Sequence, residues 1–136
     1  MEKKFINPAE LPKWEQSFSQ VVTVESGGVR TIYMSGQVSV DRDNRIIGEG
    51  DLKTQAEQAF QNLERALAAA GATTADVVKI HIYVKHYRPE DASVIREAFR
   101  GVFPQQPLPA STWVGVETLA LEALLIEVDA VAVVAV

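Results

Sequence analysis

The chain has no cysteine. Disulfides, thiolate nucleophiles and zinc-ribbon sites are therefore excluded at the outset. Its two histidines, His81 and His86, lie five apart on and just beyond a stretch that reads as a strand. They should face opposite sides and make no metal pair. Aromatic residues are few, at 7%, and basic residues are outnumbered: 13 Lys and Arg against 18 Asp and Glu give a net charge of −5. That balance argues against a general polyphosphate-binding surface, and no basic strip interleaved with aromatics is present, so nucleic acid is not an expected partner. Long apolar runs are also missing. The most apolar stretch, Val128 to Val136, contains Asp129 and is far too short to span a bilayer. Met1 to Pro8 carries two lysines but no apolar segment after them, unlike a secretory signal. There is no Gly-rich phosphate loop, nucleophile elbow or catalytic-triad spacing. The expectation is a cytoplasmic protein with no membrane partner.

What is present suits one compact domain over residues 1–136. Hydrophobic residues make up 47% and charged residues 23%, enough apolar surface for a core without staples. Phe18 to Val24 is rich in β-branched residues and reads as a strand. Gly27-Gly28 turns into a second strand, Thr31 to Ser35, and Val38 to Val40 reads as a third. From about Asp51 to Ala70, apolar residues at Leu52, Ala56, Ala59, Phe60, Leu63 and Leu67 follow a helical period, with Asp51 as N-cap and Gly71 as stop. Val77 to Val84 alternates Val78, Ile80, Ile82 and Val84 with polar residues, the pattern of a half-buried strand. Ala92 to Phe103 has helical spacing. Two last strands follow, roughly Ala110–Thr118 and Leu124–Val134. The order predicts an α+β domain with both helices on one face of a mixed sheet. The other face would be left for another subunit to cover.

Several short segments, taken in order, carry a family resemblance. Phe18-Ser19-Gln20, Ser35-Gly36-Gln37, the helix ending Ala69-Ala70-Gly71, Asp76-Val77-Val78-Lys79, Pro109-Ala110 and Ile126-Glu127-Val128-Asp129 occur in the sequence and spacing of one family. Together they make the chain similar to the Rid (YjgF, RidA, endoribonuclease L-PSP-like) superfamily across nearly its whole length. The resemblance implies a chorismate-mutase-like fold and a homotrimer with a barrel-like core. It also implies clefts between subunits in which a small metabolite binds. In the family's deaminases a pocket arginine grips the substrate carboxylate, and a glutamate orients the water that hydrolyses an imine or enamine. No metal or organic cofactor is implied.

By that resemblance Ser35, Gly36, Gln37, Pro109 and Glu127 match the family's pocket, with Glu127 in the catalytic position. Other positions depart from it. Phe18 stands where a tyrosine is common, Arg96 near a usual asparagine, and Trp113 where a small residue or cysteine is frequent. Ser111 occupies the place of the arginine, and a neutral hydroxyl cannot make a guanidinium's paired charged hydrogen bonds. Ser111 and Trp113 are two apart on a strand and should share a face. Trp113 reads equally as a stacking platform and as an interface aromatic. Arg96 reads first as part of a solvated helix face with Glu97 and Arg100. Its second reading is a substitute cation for the cleft. Ser35-Gly36-Gln37 reads as a pocket wall or a β-bulge. Asp129, on the same strand face as Glu127, reads as a solvated carboxylate.

The expected function is a Rid-superfamily trimer that binds a small metabolite and hydrolyses an imine, enamine or related carbonyl compound. Ser111 argues against standard 2-aminoacrylate deamination. Two alternatives stay open: an imine deaminase with Arg96 as its cation, and a ligand-sensing or protein-binding trimer without chemistry.

Overall fold

A computed structural model describes residues 1–136. Six strands and two helices follow one another as β1 (Glu2–Ile6), β2 (Val21–Ser26), β3 (Val29–Val38), α1 (Leu52–Ala69), β4 (Val77–Lys85), α2 (Ala92–Val102), β5 (Ala110–Val116) and β6 (Ile126–Ala135). The strands form a single sheet in the order β1-β2-β3-β6-β4-β5. All pairs are antiparallel except β4 with β5, which run parallel because α2 forms the crossover between them. The expected α+β architecture is what is observed, with both helices on one face.

Helix α1 lays Ala59, Phe60, Leu63, Ala66 and Leu67 against the sheet, all fully buried. Burying each of the larger side chains is worth about 1.5–3 kcal/mol. Asp51 caps the helix by accepting from the Thr54 backbone amide at 3.3 Å, and Gly71 follows with a φ of 79°. Helix α2 adds Ile95 and Ala98, and its Phe99 ring stacks on Phe103 at 4.6 Å and meets Phe60 edge-on at 5.9 Å. No helix is long and apolar enough to cross a membrane.

Three local expectations are corrected, and one further strand is found. Strand β1 carries no apolar alternation, and it pairs with β2 as a charged edge strand of the kind that resists further pairing. β2 begins at Val21, so Phe18 precedes it, on a turn where its amide bonds the Trp14 carbonyl at 3.1 Å. The expected second and third strands are one strand, β3, whose register shifts between Met34 and Gln37. Val78 is exposed, because a register shift between Val77 and Lys79 turns Val77 into the core instead.

Candidate functional site

The shift in β3 is a β-bulge over Ser35 and Gly36, and three polar side chains hold it in shape. Ser35 Oγ donates to the Ser19 carbonyl at 2.6 Å. Gln37 Nε2 donates to Gln20 Oε1 at 2.8 Å and to the Ser35 carbonyl at 3.1 Å. Gln20 Nε2 donates in turn to the Pro12 carbonyl at 3.3 Å. Gln37 is thus buried beneath the wall and does not line the cavity above it.

That cavity, of about 460 Å³, has Ser35, Gly36, Val38 and Glu127 on its sheet side. Trp14, Ser17 and Phe18 form one wall, and Ala120, Leu121 and Leu124 the other. The Trp14 and Phe18 rings lie 5.9 Å apart, tilted by 59°. The second wall is anchored by Gln55 of α1, which is fully buried. Gln55 donates to the Ala123 carbonyl at 3.0 Å and accepts from the Leu125 amide at 2.8 Å. The sequence reading does not single out Trp14, Leu121, Leu124 or Gln55. The spacing of Trp14 and Phe18, four apart and so on one side of a helical turn, is the one signal that marks the first wall.

Glu127 is half-buried, and its carboxyl has no hydrogen-bond partner within the chain. Gly36 lies directly under it: a Cβ there would sit 2.6 Å from the Glu127 Cδ. Burial, and then the neighbouring Asp129, push the Glu127 carboxyl above its ordinary value of 4.5. Asp129 is not simply solvated. His81 Nδ1 and Asp129 Oδ1 are 2.8 Å apart, joined across the β4–β6 register. Tyr83 pairs in the same register with Glu127, and burial followed by the Asp129 and Glu127 charges raises its hydroxyl above 10.0. These four groups share the sheet face that the helices leave open. No group of three or more His, Cys, Asp or Glu side chains is placed to hold a metal ion.

The other candidate residues gather elsewhere. Arg96, Pro109, Ser111 and Trp113 line a groove of about 210 Å³ with Phe99 and Arg100. Ser111 and Trp113 do share a face, and it is the helix-bearing one, since they pair with the buried Ile80 and Ile82 of β4. Arg100 donates to the carbonyls of Gln105 and Pro104 at 3.2 and 3.1 Å. Arg96 is exposed and has no ion pair or hydrogen bond within the chain. Trp113 is part exposed and leans on Tyr87, with ring centroids 6.0 Å apart.

The candidate residues therefore form two groups. Glu127 is level with Tyr83 and Ser111 with Ile80, on strands flanking β4. Strand spacing puts their Cα atoms roughly 14 Å apart, with side chains on opposite faces. One copy cannot close both groups around one small molecule.

The family model described as endoribonuclease L-PSP matches residues 9–134. A 2-iminobutanoate/2-iminopropanoate deaminase of Dermatophagoides farinae is 32% identical over 133 residues, 97% of each chain. Among solved structures, the Rid-family protein YyfB of Yersinia pestis is 34% identical with a TM-score of 0.75, covering 98% of this chain and 100% of its own. RidA of an Antarctic Psychrobacter is 28% identical with a TM-score of 0.80, covering 96% and 99%.

Proposed function

This chain belongs to the Rid superfamily, and from that premise we propose that it binds a small metabolite and hydrolyses its imine or enamine bond at Glu127. The observation that carries the reading is a protonatable carboxyl, held against the Gly36 backbone at the floor of an open cavity. A carboxyl whose charged form burial disfavours holds its proton more readily than a solvated acid, and so is better suited to giving it to a substrate. Glu127 donates its proton to the imine nitrogen, and its carboxylate then accepts one from water as the water oxygen bonds to carbon. The resulting carbinolamine loses ammonia when the C–N bond breaks, with the hydroxyl proton returning to nitrogen through Glu127. A carbonyl compound remains.

We further propose that the active unit is a homotrimer, in which the cavity of one copy meets the Ser111 groove of the next. The placement of the two residue groups on opposite faces supports this, as does the open sheet face bearing Tyr33 and Val133. A metabolite fits better than a phosphodiester, because no basic side chain lines the cavity and the net charge is −5. A cytoplasmic location is part of the same proposal.

Light scattering should give the mass of three 14.9 kDa chains. Imines generated in situ by an oxidase should be hydrolysed in a Glu127-dependent way. Turnover of 2-iminobutanoate should fall about 10–100-fold below that of an arginine-bearing relative, the value of one charged grip. Rates that rival the relative would refute a change of specificity. A second reading, with Arg96 as the cation, is favoured by its lack of a partner and its place beside Ser111. Under it, Arg96→Ala abolishes 2-iminobutanoate turnover. Under the first reading Arg96→Ala leaves that turnover unchanged.

A further inference from the structure

We infer that the ligand of the Glu127 cavity is an imine, enamine or carbonyl compound with an aromatic or branched apolar body and no carboxylate. This rests on the reading of the cavity as the metabolite site, and adds the chemical class that the site selects.

The walls make the first argument. Trp14, Phe18, Leu121 and Leu124 surround the space above Glu127, and Phe18 and Leu121 are 39% and 45% exposed. Large apolar groups left open in a concave site favour a ligand that covers them. The cavity volume lies within the roughly 300–1,000 Å³ usual for small-molecule sites.

Charge makes the second argument. No lysine or arginine lines this cavity, and the Ser35 hydroxyl is already committed to the Ser19 carbonyl at 2.6 Å. The polar group at the floor is an acid, with Asp129 two residues further along the same face. A ligand carboxylate placed there would meet the Glu127 acid and no cation of the cavity lining, a costly arrangement away from bulk water. Arg96 gives no relief within one copy, because its groove is on the other face of the sheet. Under the leading reading the next copy meets the cavity at Ser111, which carries no charge, while its Arg100 is committed to the Gln105 and Pro104 carbonyls. A neutral C=N or C=O group is different. It can accept the Glu127 proton, while an apolar body lies on the Trp14 and Phe18 rings. Hydrolysis of such an imine consumes one water and yields a ketone or aldehyde and ammonia.

Three stable ketones test this by calorimetry on the intact protein. 4-Phenylbutan-2-one and 2-oxo-4-phenylbutanoate share an aromatic body and differ only in methyl against carboxylate, and 2-oxobutanoate lacks the body. The first should bind at least tenfold more tightly than either acid. Trp14 and Trp113 are the two tryptophans, so in Trp113→Phe any ligand-induced change in emission comes from Trp14. Phe18→Ala should weaken the ketone at least tenfold with unchanged circular dichroism. Leu121→Ala, at an exposed position, serves if that variant does not fold. A keto acid that binds as tightly as the ketone overturns the inference and leaves the metabolite site standing. If none of the three binds or changes Trp14 emission, the cavity is not the metabolite site and both readings fall.

Discussion

The cavity around Glu127 and the groove around Ser111 are built on one sheet, two strands apart, yet they hold opposite chemistry. The cavity is acidic, walled by tryptophan, phenylalanine and leucine, and fixed by a hydrogen-bonded bulge. The groove is basic and open, with one arginine committed to carbonyls and the other free. Under the proposed reading, proton chemistry sits beside the hydrogen-bonded bulge. Recognition by charge would then sit on edge strand β5 and the exposed face of α2. By the resemblance read from the sequence, Ser35, Gly36 and Glu127 of the cavity and Pro109 of the groove match the family pattern, while Phe18 of the cavity and Ser111 and Trp113 of the groove depart from it.

The comparison breaks most readily at Glu127. Glu127→Gln should cut imine hydrolysis by about 10²–10⁴-fold, the usual value of a positioned acid–base group, with little change in the denaturation midpoint. Gly36→Ala should follow, because its Cβ forces the Glu127 carboxyl aside. Displacement of a reacting group by about 1 Å costs on the order of 10²-fold, read as kcat with the sheet intact by circular dichroism. Across the sheet, Ser111→Arg should raise kcat/KM for 2-iminobutanoate about 10–100-fold, by restoring a charged grip. No gain would mean that the two halves do not meet around one ligand. Gln55→Leu should destabilise the chain by about 1–3 kcal/mol in urea denaturation, by orphaning the Leu125 amide and the Ala123 carbonyl. It should loosen the cavity and leave the groove unchanged.

The smallest effect concerns pH. The Glu127 carboxyl is raised in the folded chain, by burial first and Asp129 second. In the window just above 4.5 the folded state therefore holds more protons than the unfolded state, so stability falls as pH rises through it. Glu127→Gln should flatten that slope. Asp129→Asn should shift the Glu127 carboxyl resonance to titrate at lower pH in carbon NMR, and an unmoved midpoint would separate the two acids.

Regular elements are legible in the sequence where one period governs many residues. Helix α1 is read nearly to its ends, because Asp51, the apolar stripe and Gly71 are independent local signals that agree. The alternation in β6 likewise places Glu127 and Asp129 on one face opposite Val128 and Ala130. Irregular features are less legible. The bulge at Ser35 and Gly36 turns β3 over, so that Ile32 and Met34 before it and Gln37 after it face the helices. A strict period of two cannot express such a shift. The partition of the site is hidden for a related reason. Ser111 and Glu127 are sixteen positions apart, and only the insertion of β4 between their strands shows that they look in opposite directions. Gln55 acts across sixty-eight positions, through loop carbonyls that no motif marks.

Strand β6 follows every other element in the chain, yet it lies between β3 and β4 at the middle of the sheet. During synthesis, the β1–β3 meander and the β4–α2–β5 unit exist as separate pieces, each with an unpaired strand edge, until this segment emerges. Their joining must wait for contacts of long sequence separation, which form slowly. The segment that closes the gap also delivers Glu127, so a nascent chain gains its acid only as its sheet becomes whole.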